Sequence, residues 1–182
     1  MKDLLSLGTF EMTTPRMIVS DPCYDKGDVY TGLLKNCRTG QWEAGIDTVK
    51  DRHGYERVRA LVVRFQDEKA PQLNDYVKAF RARYKSWKEV PALIGVDSGQ
   101  AGFFDEAHYQ DDASIGADVV IEHEYWTRWY NYCCDLTLEG SHGGVLPNGA
   151  VSGSGLGDGV YGCFAHYARD GVVDAAALIF LE

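Results

Sequence analysis

What this chain lacks narrows it first. No apolar run approaches the ~18–20 residues that a membrane-spanning helix requires. The opening residues MKDLLSLGTFEM also lack the continuous apolar stretch and small-residue cleavage site of a secretory signal. A cytoplasmic protein is the expectation. The 5 cysteines (Cys23, Cys37, Cys133, Cys134 and Cys163) are an odd number, and the neighbours Cys133 and Cys134 are poorly placed to bridge each other. With no secretory signal, this predicts reduced thiols rather than a disulfide framework. Basic residues are scarce in the second half: residues 97–182 hold 2 Lys+Arg against 14 Asp+Glu, whereas residues 1–96 hold 16 against 13. The net charge of −9 therefore divides into +3 and −12. An acidic field of that strength repels nucleic acid and attracts basic surfaces.

What is present suits one domain over residues 1–182, since 182 residues at 45% hydrophobic and 12% aromatic composition can bury a core of their own. Met17 to Val19 reads as a strand that ends in a turn at Asp21-Pro22. The turn residues Thr39-Gly40 and KDRHG separate β-branched and aromatic segments and predict hairpins. Val58 to Phe65 reads as a central strand and Leu93 to Val96 as another. Residues 71–88, PQLNDYVKAFRARYKSWK, place Leu73, Tyr76, Val77, Phe80, Tyr84 and Trp87 on one helical face. The opposite face carries Lys78, Arg81, Lys85 and Lys88, either a solvated charge stripe or a set of phosphate contacts. Residues 119–138 fit a helix or two strands, and their alternation and aromatic content favour strands. The tail reads as a hairpin turning at Asp170-Gly171. These elements predict an α+β, β-rich fold: mostly antiparallel sheet with one amphipathic helix at about 71–88.

The glycine run SGSGLGDGVYG (Ser152 to Gly162) is not a dinucleotide or phosphate loop, because a strand follows it where those need a helix, and no Gly-Lys-Ser/Thr is present. Asp158 supplies a single hard oxygen ligand, too few for a calcium loop. The expectation is a turn braced by the Asp158 carboxylate accepting backbone N–H bonds. Zinc would need four nitrogen or sulfur ligands, but Cys163 and His166 stand at an odd offset and point to opposite faces of a strand. No metal or cofactor is expected.

Two function classes remain. An enzyme of hydrolase type could use Asp21, Asp97 and Asp158 as acids, with Cys134 or Cys163 as nucleophile, His142 or His166 as base and Asp135 or Asp158 as orienter, although no local signature accompanies them. A binding module could use the acidic window formed by Asp105, Glu106, Asp111, Asp112, Asp118, Glu122 and Glu124, which contains no Lys or Arg. Tyr125, Trp126 and Trp129 beside it are of the residue types that anchor interfaces. Such a surface suits a groove built for phosphates.

The motifs SDPCY (Ser20 to Tyr24), GVDSGQAGFFD (Gly95 to Asp105) and GSGLGDGVYG (Gly153 to Gly162) together resemble an uncharacterised domain family of bacteria and their phages. The resemblance implies that Asp21, Tyr24, Asp97, Gln100, Asp158 and Tyr161 converge in one place, and it implies no reaction. In size and charge division the chain is also similar to anti-CRISPR proteins. That analogy implies inhibition of a nucleic-acid-binding defence effector in the bacterial host, foremost a CRISPR RNA-guided nuclease, with the 78–88 basic face touching nucleic acid of the same complex. The alternative is the small enzyme built on Asp21, Asp97 and Asp158.

Overall fold

A computed structural model describes residues 4–67, 72–75, 87–138 and 142–181. The first sheet contains β1 (Leu5–Met12), β4 (Gly40–Lys50), β5 (Glu56–Phe65), β12 (Val173–Ile179), β11 (Gly159–Tyr167) and β6 (Trp87–Glu89), in that spatial order. A short strand, β7 (Ile94–Val96), also pairs with β11. The second sheet runs β3 (Gly32–Lys35), β2 (Arg16–Ser20), β8 (Gln100–Asp105), β10 (Gly149–Gly153) and β9 (Gly143–Leu146). Neighbouring strands within both sheets are antiparallel.

The period-2 alternation of strands explains how the sheets pack. Trp42, Ala44 and Ile46 of β4, Leu61 and Val63 of β5, and Ala176 and Leu178 of β12 face Met17 and Val19 of β2, Phe103 of β8 and Ala150 of β10. The intervening residues Ile18, Phe104 and Val151 face the other way and bury Trp129, Tyr130, Cys133 and Cys134. These four lie on one face of a helix, α1 (Arg128–Leu138), laid on the outer face of the second sheet.

The fold is thus nearly all β, and the α+β expectation is corrected. The proposed 71–88 helix lies largely outside the described residues, as do Lys78, Arg81 and Lys85. Within it residues 73–75 are helical, while Trp87 and Lys88 belong to strand β6. Residues 119–138 are not two strands: 119–127 are irregular and α1 follows. Trp, Tyr, Cys and Thr are mediocre helix formers, and burial against the sheet overrides that propensity. Thr127 caps the helix, its hydroxyl accepting from Tyr130 N at 3.1 Å. Asp112 Oδ1 accepts from Trp129 N at 2.8 Å.

Several local expectations hold. Strand β2 covers Met17 to Val19, β5 sits inside its sheet, KDRHG turns the β4–β5 hairpin, and the tail hairpin turns through Gly171 at φ +78°. Thr39-Gly40 does not close a hairpin, since β3 pairs with β2 while β4 pairs with β1 and β5. The chain changes sheets there, and again in the glycine run between β10 and β11.

Candidate functional site

The glycine run crosses from the second sheet to the first with Gly155 at φ +70° and Gly157 at φ +106°, conformations that glycine adopts without strain. Asp158 does not brace this turn. Its side chain is exposed and, among the described residues, accepts no hydrogen bond. The bracing comes from Ser154 Oγ and the Tyr161 hydroxyl, which donate to Gly157 O at 2.8 and 2.6 Å.

Two of the three motifs meet around Asp21, which is fully buried. Its Oδ1 accepts from Cys23 N at 2.9 Å and Ser98 Oγ at 2.6 Å. Its Oδ2 accepts from Asp97 N at 2.8 Å and Ser98 N at 2.7 Å. A carboxylate offers about four acceptor sites, so Asp21 is saturated: it ties the Asp-Pro-Cys-Tyr turn to the Val-Asp-Ser-Gly turn and has no lone pair left for a substrate proton. Tyr24 hydrogen-bonds the Asp97 carboxylate, and desolvation together with that bond raises its pKa. Gln100 is buried elsewhere, donating to Cys134 Sγ at 3.4 Å and accepting from Thr137 at 3.1 Å. The third motif meets the second through the backbone, where Gly159 of β11 pairs with Val96 of β7, while the Tyr161 side chain packs against Phe180 in the inter-sheet core.

All five cysteines are free thiols, and none is set up as a nucleophile. Burial pushes Cys23 up to about 12, with Asp21 and Asp97 adding to the shift. Burial also pushes Cys37 up to about 12 and raises Cys133, Cys134 and Cys163. Reactive cysteines need the opposite shift. Cys134 has Gln100 and Tyr130 as hydrogen-bonding partners, not His142. Cys163 faces the inter-sheet core, whereas His166 is on the other face of β11 with Nδ1 2.6 Å from Asp174.

The acidic window separates into interior and surface groups. Asp105 has 0% exposure and binds Thr13, Thr14 and Ala107 N. Burial opposes its charge, but these hydrogen bonds outweigh burial and hold its pKa below the ordinary carboxylate value. Glu106 pairs with Arg16 and Lys26. Asp111 caps a short 3-10 turn by accepting from Ala113 N, and Asp112 caps α1. Trp129 is core, between Phe104 and Tyr109. Asp105 and Trp129 are therefore not part of any docking surface, a correction to their expected place among the partner-binding residues.

Other members of the window stay at the surface. Asp118, Glu122, Glu124 and Tyr125 are exposed, and Trp126 is 74% exposed. Trp126 stacks on Tyr130 with centroids 5.0 Å apart and planes at 18°, and Tyr125 meets the same ring edge-on. One face of α1 grips the backbone of this connection. Arg128 donates to Gly116 O at 2.6 Å and Val119 O at 3.0 Å, Asn131 accepts from Tyr125 N, and Asp135 accepts from Glu122 N at 3.0 Å. Residues 128, 131 and 135 recur at helical spacing. The signal for this clamp was present in the sequence but invisible without knowing that α1 is a helix. The Tyr130 hydroxyl contacts Ser98, which connects the surface to the Asp21 turn.

Fold and site together define a face-to-face antiparallel β protein with one helix on its outer face and an acidic, aromatic connection held against that helix. The model of the family described as "Protein of unknown function (DUF4241)" matches residues 10–178, and the chain belongs to that family. No curated protein and no solved structure matches it.

Proposed function

We propose that this protein is a binding module whose 118–126 surface docks on a basic partner. The observation that carries the reading is Trp126: a tryptophan 74% exposed yet stacked on Tyr130 and held in a clamped backbone. Exposed aromatic surface rimmed by charge marks interaction sites, and fixing it beforehand lowers the ordering cost of binding. Asp118, Glu122 and Glu124 set the sign of the partner, because electrostatic complementarity selects a positive patch. Proteins that handle nucleic acid carry such patches in their phosphate-binding channels, and CRISPR effector nucleases, which hold a guide–target heteroduplex in a basic channel, are the members proposed as targets. Occupying that channel would block DNA recognition or cleavage.

The test is a pull-down and DNA-cleavage assay with representative effector nucleases over a range of protein ratios. Wild-type protein should bind and inhibit. Trp126→Ala, or the charge reversal Asp118→Lys/Glu122→Lys/Glu124→Lys, should weaken binding at least tenfold, and added salt should weaken the wild type. Unchanged cleavage at every ratio rejects the effector assignment, and binding that is indifferent to both variants rejects the surface.

A further inference from the structure

Trp126 differs from the other tryptophans in what it leaves open. Trp42, Trp87 and Trp129 are at most 5% exposed, against 74% for Trp126. Its stack on Tyr130, with planes at 18°, covers one face of the indole and turns the other outward. The rear wall is fixed, because Tyr130 is buried on α1 and its ring also meets Tyr125 edge-on. The backbone is tied on both sides of Glu124, at Glu122 N by Asp135 and at Tyr125 N by Asn131. Two peptide steps keep the Cα atoms of Glu124 and Trp126 within about 7.6 Å of each other, and both side chains are exposed.

The open face of an indole carries the negative side of its ring quadrupole, and tryptophan is the aromatic residue that attracts cations most strongly. Elsewhere the molecule makes such contacts from its own residues: the Arg38 and Arg57 guanidinium carbons each stand 5.8 Å from a ring centroid, over Phe65 and Tyr55. Among the described residues no cation lies over Trp126. The sequence has no Lys or Arg between Lys88 and Arg128, and Arg128 is engaged by Gly116 O and Val119 O. We infer that the partner supplies the cation as an arginine, whose guanidinium stacks on the open face of Trp126 and donates in its own plane to the Glu124 carboxylate. A guanidinium is flat and weakly hydrated, so its faces can lie on a ring while its N–H groups bind a carboxylate; a lysine ammonium is a compact charge that holds its water. An apolar side chain would gain the ring but nothing from Glu124. The inference rests on the docking surface proposed above and names the partner residue that surface selects.

The probe is a short acetylated, amidated peptide of glycine and arginine, titrated into the whole isotope-labelled chain in about 0.15 M salt, where exposed charges are screened beyond ~8 Å. Counterparts carry lysine, or citrulline, which keeps the size and planar end of arginine without its charge. The arginine peptide should shift the Trp126 indole N–H signal, identified by its loss in Trp126→Leu, and the amide signals of residues 124–126. The lysine peptide should bind about two- to fivefold more weakly and the citrulline peptide about tenfold more weakly. Trp126→Leu should erase the preference for arginine. Glu124→Gln should weaken the arginine peptide about two- to fivefold and leave the citrulline peptide unchanged. Both positions are exposed, so neither change opens the core. Equal binding of the arginine and citrulline peptides, or no shift at Trp126 at millimolar arginine peptide, overturns the inference. If Trp126→Ala nonetheless abolishes capture of an effector, the docking surface stands and only its arginine seat is lost. Arginine-selective binding by a protein that inhibits no effector upholds the seat and rejects the effector assignment.

Discussion

Replacing Asp105 with asparagine tests the reasoning about buried charge most directly. Asp105 ends β8, and its two oxygens receive the backbone and hydroxyl donors of Thr13 and Thr14, in the turn that carries the chain from β1 in the first sheet to β2 in the second. Ala107 N donates to it as well, at 3.0 Å. An asparagine keeps one acceptor oxygen and turns an NH₂ group toward donors, so contacts on one side become donor against donor. Hydrogen bonds to a charged group are each worth about 1.5–3 kcal/mol, and two are lost, so the expected cost is about 3–6 kcal/mol. That is a large part of the ~5–15 kcal/mol that typical domains possess. Urea unfolding followed by circular dichroism should show the midpoint falling with the slope unchanged.

The pH dependence of the same variant provides an independent check. The native pKa of Asp105 lies below its ordinary value, so the unfolded state binds the proton more readily. The stabilisation is then fully present above the unfolded pKa of about 3.9 and is lost as pH falls through the lower native value. The gap between wild type and Asp105→Asn should accordingly be constant from neutral pH down to about pH 5 and shrink below about pH 4. A loss under about 1 kcal/mol at neutral pH, or a gap that widens on acidification, would refute the account of this carboxylate.

Two further outcomes follow from the motif region. With a pKa of about 12, Cys23 is ionised to only about one part in 10⁴ at pH 8, and the other four thiols are buried. A chromogenic disulfide reagent should therefore label the native protein slowly and all 5 thiols quickly after unfolding. One fast native thiol would contradict that. In the glycine turn, Ser154→Ala and Tyr161→Phe should each cost about 1 kcal/mol, whereas Asp158→Asn should change stability by less than about 0.5 kcal/mol. Thermal unfolding would expose the reverse ranking.

How far the site was legible depended on what each residue's signal measures. Strands β2, β5 and β7 and the hairpins at KDRHG and Asp170-Gly171 were readable, because turn residues and apolar runs act over a few neighbours. Helix α1 was not, because Tyr, Trp and Cys favour strands in isolation and only the outer face of the second sheet rewards them in a helix. The acidic window read as one surface, since composition does not distinguish Asp105, buried among donors, from Asp118 in water. Asp158 read as a brace for its turn, yet a serine and a tyrosine took the backbone contact instead.

By itself, the sequence determined the β-rich character, the division of charge between the halves, the absence of a phosphate loop, and the family landmarks. Each of these is a local or additive property of the residues. Tertiary structure alone decided which acids face water, which carboxylate is saturated, that burial raises the thiol pKa values, and that Trp126 stands on Tyr130. Those outcomes depend on desolvation and on partners far along the chain: Asp21 finds Ser98, Asp105 finds Thr13, and Gly95 finds Tyr30 only once the two sheets are packed face to face.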